Sequence, residues 1–147
     1  MKIPADIHQR VVELTDAILA AGQSGDAGLA GSRYQALLAY CQATAAAGRD
    51  HPFLWETLAD FTGDDHLAIG HYRHALALAL AGADAAADYA ASICLALAER
   101  HTNLDESSTA HAYALQAEEH ARGSDDLPLH QAIHQFLLEH PSAAGPH

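Results

Sequence analysis

Three triplets of small and aromatic residues, spaced four and then three apart, constrain this chain more than any other feature. They are Ala36-Tyr40-Ala43, Ala68-Tyr72-Ala75 and Ala110-Ala114-Ala117, the last with Ala in place of Tyr. Offsets of four and seven put all members of a triplet on one face of an α-helix. Small residues at both ends admit a neighbouring helix closely, and the central aromatic fills the gap. Successive triplets begin 32 and 42 residues apart, the spacing of helical hairpins with one expanded unit.

Punctuation along the chain divides it into seven helices. The first spans about Ala5 to Ala21, between Pro4 and Gly22, with Ile7, Val11, Leu14 and Ile18 as its apolar stripe. The Gly-rich stretch from Gln23 to Ser32 reads as a loop. A second helix carries Tyr34, Leu37, Leu38 and Cys41 and ends near Gly48. Asp50 is the expected N-cap of a short third helix with Pro52 in its first turn, ending at Thr62-Gly63. Asp64, Asp84 and Asp105 are expected to cap the fourth, fifth and sixth helices. The seventh begins near Leu127-Pro128, with Leu129, Ile133, Phe136 and Leu137 on one side. No alternation of the β type competes. The expected architecture is all-α, with three antiparallel hairpins and a final helix that covers the last of them. Residues 1–140 form one domain and 141–147 a frayed tail.

Composition narrows both core and partners. Half of the 147 residues are hydrophobic, largely Ala, and only 6% are aromatic, so close helix contacts must build a thin core. Trp55, Leu58, Tyr72, Tyr40 and Phe136 are its expected large members. No apolar run is long enough to span a membrane, and the N-terminus lacks the pattern of a secretory signal; a cytoplasmic protein is expected. Nineteen acidic residues face seven basic ones, a net charge of −12, and Lys2 is the single lysine. Without basic clusters, neither nucleic acid nor an anionic membrane surface is an expected partner. The acidity steers basic partners instead. Cys41 and Cys94 lie apart in apolar helical stretches and read as small buried hydrophobes.

The middle unit resembles a known family. Trp55, Leu58-Ala59, a Gly63-Asp64 turn, Ala68-Ile69, Tyr72 and Ala75-Leu76 follow the order of the tetratricopeptide repeat, although the first helix of this unit is two or three residues short. Leu14-Thr15, Ile18 and Gly22 fit a first copy interrupted by the Gln23–Ser32 stretch, and Ile93-Cys94 and Leu97 fit a third. The resemblance covers roughly residues 7–121; the same residues also suit a related helical-hairpin solenoid. It implies a right-handed superhelix whose concave groove, lined by the first helix of each pair, holds a peptide or partner protein. Carried over by position, Glu56 and Asp60 would face that groove, as would Asp16 in the first unit. These are acids, whereas carboxylate-clamping grooves use Lys, Arg and Asn. A basic or amphipathic partner is therefore expected. By size and charge alone the chain is analogous to a dedicated bacterial chaperone or an immunity-type protein.

Twelve histidines offer a different chemistry. His130 and His134 are four apart and share a helix face, as a two-residue metal clip would. His71 and His74 are three apart, and His111 and Glu118 two turns apart. None of these sets is a metalloenzyme signature, and no nucleophile elbow, phosphate loop or dinucleotide fingerprint occurs. The expectation is a non-enzymatic binding protein without a cofactor, with His-based metal binding as one alternative. Another is a homodimer associating through helix seven.

Overall fold

The computed structural model describes residues 2–82 and 87–141, and among these the fold is all-α. Seven helices run in order: α1 Ala5–Gln23, α2 Ala27–Ala46, α3 Pro52–Asp60, α4 Asp65–Ala81, α5 Ala87–Asn103, α6 Ser107–His120 and α7 Leu127–Glu139. Helices α1 and α2, α3 and α4, and α5 and α6 pack as sequential pairs. Across pairs, α4 and α3 lie against α5, α7 against α6, and α2 more lightly against α3.

Local chemistry sets the helix starts. Asp26, Asp64 and Asp126 each accept a hydrogen bond from a backbone N–H three residues on, at Leu29, Leu67 and Leu129, over 2.9–3.0 Å. Pro52 and Pro128 occupy first turns, where a missing N–H costs nothing. Three expected features differ. The stretch Gln23–Ser32 is a loop only over residues 24–26: Gly25 takes φ +76°, Asp26 caps, and α2 runs on through Gly28 and Gly31. The N-cap of α3 is His51, whose Nδ1 accepts from the Phe53 amide at 3.0 Å, one residue after the expected Asp50. Asp105 adopts φ +59° in the turn before α6, and Glu106 occupies the cap position with no side-chain cap bond. Asp84 lies outside the described residues.

Two apolar clusters form the core. One joins Ile7, Val11 and Leu14 of α1 to Leu37 and Cys41 of α2 and Leu54 and Leu58 of α3. The other is dominated by α4, α5 and α6, with Ala59 of α3 and Ile133 and Phe136 of α7. Trp55 packs against both. Leu58, Tyr72 and Phe136 are buried as expected, whereas Trp55 and Tyr40 are only half-buried. The Ala68-Tyr72-Ala75 and Ala110-Ala114-Ala117 triplets are buried along their whole length. The first triplet is a correction: Ala36 and Ala43 are exposed, and the buried stripe of α2 is Leu37-Cys41-Thr44, one residue on. Leu has the bulk to displace Ala from the buried side of this helix, so the face is rotated by one position. On α7, Ile133 and Phe136 are buried, and Leu129 and Leu137 pack beside them in the same chain, which makes that helix the cover of the last pair.

Polar links join the pairs. Arg100 of α5 donates from Nη1 to Asp65 and from Nη2 to the Ala59 carbonyl, each at 3.1 Å, and so joins the Thr62 amide as a second donor to that carbonyl at the end of α3. The Tyr34 and Thr62 hydroxyls meet at 2.6 Å, tying α2 to the turn after α3. Arg49 pairs with Asp6 through both guanidinium nitrogens at 2.8 and 2.9 Å, closing the first pair at its surface.

Candidate functional site

The odd-numbered helices share one face with two openings. The first, about 470 Å³, lies among Ile3 and His8 at the start of α1, Phe53 and Glu56 of α3, Asp88, Tyr89 and Ser92 of α5, and Asp126 and Leu129 at the start of α7. The second, about 430 Å³, lies between α5 and α7, bordered by Leu95, Glu99, Phe136, Glu139 and His140 among others. Both have substantial apolar walls. Among the described residues five carboxylates line the two together, with neither Lys nor Arg.

Glu56 is the innermost acid of the first opening. It is half-buried, and its Oε2 accepts from Ser92 Oγ at 2.6 Å. Burial pushes its carboxyl up to about 7; the Ser92 hydrogen bond pulls the other way, and the charge of Asp60 adds to the rise. Tyr89 is pushed up by burial and then by the Glu56 charge. Aromatic contacts frame the pocket: His8 stacks on Phe53 with ring centres 5.5 Å apart, and His51 meets Tyr89 edge-on at 5.5 Å. This arrangement offers apolar surface, the Phe53 and Tyr89 rings and a half-buried carboxylate. Chemically it suits a cation on an apolar stem.

The residues expected in the groove separate into three situations. Glu56 lies in the pocket. Asp60, one turn further along α3, accepts a hydrogen bond from the Tyr72 hydroxyl and so serves the α3–α4 contact. Its pKa is raised, by burial first, while Tyr72 and Arg100 oppose that shift. Asp16 is exposed on α1, eight residues beyond His8 and so about 12 Å along the helix, and it lines neither opening. Of the proposed metal pair, His130 donates from Nε2 to the Ser124 carbonyl at 2.8 Å and His134 is exposed. Among the described residues no group of three or more His, Cys, Asp or Glu side chains could hold a metal ion.

The repeat resemblance of the middle unit points to no residue of α5. Tyr89, Ser92 and Glu99 lie three and seven residues apart, hence along one face. That periodicity is a signal the sequence does carry. Glu99 is shifted upward by desolvation and by Asp60, with Arg100 opposing, which places it in the same electrostatic neighbourhood.

Comparison with known proteins adds no relative: no protein-family model, curated protein or solved structure matches this chain. The fold defines an all-α helical bundle compatible with a helical-repeat architecture. Among the described residues no helix is long and apolar enough to cross a membrane.

Proposed function

We propose that this chain is a non-enzymatic, tetratricopeptide-like protein-binding module. Its odd-helix face forms the concave side of a right-handed superhelix and receives a basic, amphipathic segment of another protein. The observation that carries this reading is the composition of the two openings, with apolar walls, five carboxylates and, among the described residues, neither Lys nor Arg. An amphipathic helix fills such a groove with its apolar side, while its Lys or Arg residues meet the acids at the border. A dedicated chaperone or immunity-type protein that shields one basic partner would use a surface of this kind.

Fluorescence anisotropy with labelled amphipathic peptides tests it. Lys/Arg-rich peptides should bind, and binding should weaken with added salt as exposed charges are screened. Glu-rich peptides of the same apolar pattern should not bind. Equal binding of both sets, or of neither, overturns the reading.

A second reading has its own observation. Leu127 and Leu138 of α7 are 61% and 64% exposed, apolar surface that a second copy of α7 could cover in a homodimer. Light scattering over a concentration series tests this; one mass throughout, that of the single chain, excludes it.

A further inference from the structure

Glu56 poses a physical problem that general acidity does not explain. A carboxylate withdrawn from water loses hydration, and folded proteins normally offset that loss with a cation and several hydrogen bonds. Among the described residues Glu56 makes no ion pair, and Ser92 Oγ is its one side-chain hydrogen-bond donor. A hydroxyl brings no compensating charge. The surroundings contain no permanent cation among the described residues either: α1 presents His8, α3 presents Asp60 and the N-cap His51, α5 presents Asp88 and Tyr89, and the lead-in to α7 presents Asp126. Among the described residues the cost of placing Glu56 here is thus offset only in part, by Ser92, and by no cation.

We propose that the pocket among α1, α3, α5 and the start of α7 is a receptor for one cationic side chain, a lysine or arginine of the partner, with Glu56 as the receiving carboxylate. This deepens the groove reading above and rests on it. The volume of about 470 Å³ falls in the range of pockets that enclose small ligands, ample for one long side chain. Ile3, Phe53 and Leu129 would cover the aliphatic stem, and the Tyr89 ring would lie beside the charged head. Asp88 and Asp126 at the pocket attract the same charge before it enters.

A pH dependence follows. With Glu56 held at about 7, the empty receptor is partly protonated at neutrality and must release a proton to take a cation. Acidification therefore weakens binding. Protonation of His8 would act in the same direction, and a His8→Phe variant isolates the part due to Glu56.

The test uses the full chain, labelled with nitrogen-15, and three small probes: Nα-acetyl-arginine methylamide, its lysine counterpart, and neutral Nα-acetyl-citrulline methylamide. The arginine or lysine probe should give saturable shifts of the Tyr89 and Ser92 amide signals at pH 8. Affinity should fall about 10-fold at pH 6, as the ionised fraction of a group titrating near 7 falls. Glu56→Gln, nearly isosteric, should abolish the shifts while its circular dichroism matches wild type. Ser92→Ala removes a hydrogen bond to the charged form and should move the pH midpoint upward.

Absence of saturable shifts at pH 8, equal binding of the citrulline probe, or undiminished binding by Glu56→Gln would overturn the receptor. The two proposals fail separately. A basic peptide that binds wild type and Glu56→Gln alike removes the receptor and leaves the groove. Probes that bind at Tyr89 and Ser92 while every basic peptide fails remove the groove as a peptide site.

Discussion

Asp50 and Trp55 are joined by a hydrogen bond of 2.6 Å, the indole Nε1 donating to Oδ1 of the carboxylate. The same Oδ1 accepts the His51 amide at 3.0 Å, and Oδ2 accepts from His74 Nε2 at 3.0 Å. Asp50 thus fastens the start of α3 to α4 through three donors. Because Trp55 packs against both apolar clusters, this one carboxylate orients the ring at their junction.

Replacing Asp50 with Ala strands those donors. The expected loss of stability is about 1.5–3 kcal/mol, the range for hydrogen bonds to a charged acceptor. Urea denaturation measures it, and a change under about 0.5 kcal/mol would show that water replaces the carboxylate without penalty.

Trp55 is the only tryptophan, so intrinsic fluorescence reports this neighbourhood alone. His74 meets it edge-on with centres 4.7 Å apart, and His71 lies at 5.7 Å. A charged imidazolium quenches an adjacent indole, so emission should fall on acidification. Burial, then the His74 charge, holds His71 below the ordinary imidazole range. Its share of the quenching should therefore arrive below about pH 6.5, and His71→Gln should delete that late component.

Tyr72 is buried at the α3–α4 contact and donates its hydroxyl to Asp60. Tyr72→Ala should cost about 3–5 kcal/mol through the cavity it leaves. Tyr72→Phe keeps the ring and should cost about 1 kcal/mol. Thermal or chemical denaturation of the pair separates packing from hydrogen bonding; equal losses would contradict that division.

Glu56 links stability to pH. Its ordinary value is 4.5, and burial raises it to about 7 in the folded chain. The folded state thus holds a proton between those values that the unfolded chain has released. The penalty from this group is full above pH 7, shrinks as pH falls toward 4.5, and is absent below. With allowance for solvent at its open edge it amounts to about 2 kcal/mol. Glu56→Gln should be more stable than wild type at pH 8 and lose that advantage by pH 5, as melting curves at both values would record.

Cys41 and Cys94 are free and buried, and burial pushes their thiols up to about 12 and 11. Thiolate is scarce and access is blocked. Reaction with a colorimetric disulfide reagent should be slow in buffer and fast for both in denaturant. Fast labelling of either in buffer would show that its site opens readily.

Much of the fold was legible because helix punctuation and apolar periodicity are local. The Asp64 cap, Pro52 and Pro128 in first turns, and the buried triplets on α4 and α6 all agree with the sequence pattern. What failed was decided by competition or context. Gly28 and Gly31 suggest a loop, yet the Asp26 cap and continuing helical bonds override their weak propensity. Ala36 and Ala43 match the repeat pattern, but larger Leu37 takes the buried side. The pocket was only half readable. Glu56 came from the repeat resemblance, while Tyr89 and Ser92 become neighbours only when α5 packs beside α3.

The nine-residue helix α3 also sets how the molecule comes apart. Leu54 and Leu58 turn toward α1 and α2, Ala59 toward α4 and α5, and the direct join between α2 and α3 is slight. The first two helices can therefore peel away as one foldon, baring a single short helix and leaving the larger cluster closed. That seam passes beside His8 and Ile3, on the α1 side of the pocket. A ligand seated there would bridge the two foldons and suppress their parting, so amide exchange in α1 and α2 would register occupancy far from the bound atoms.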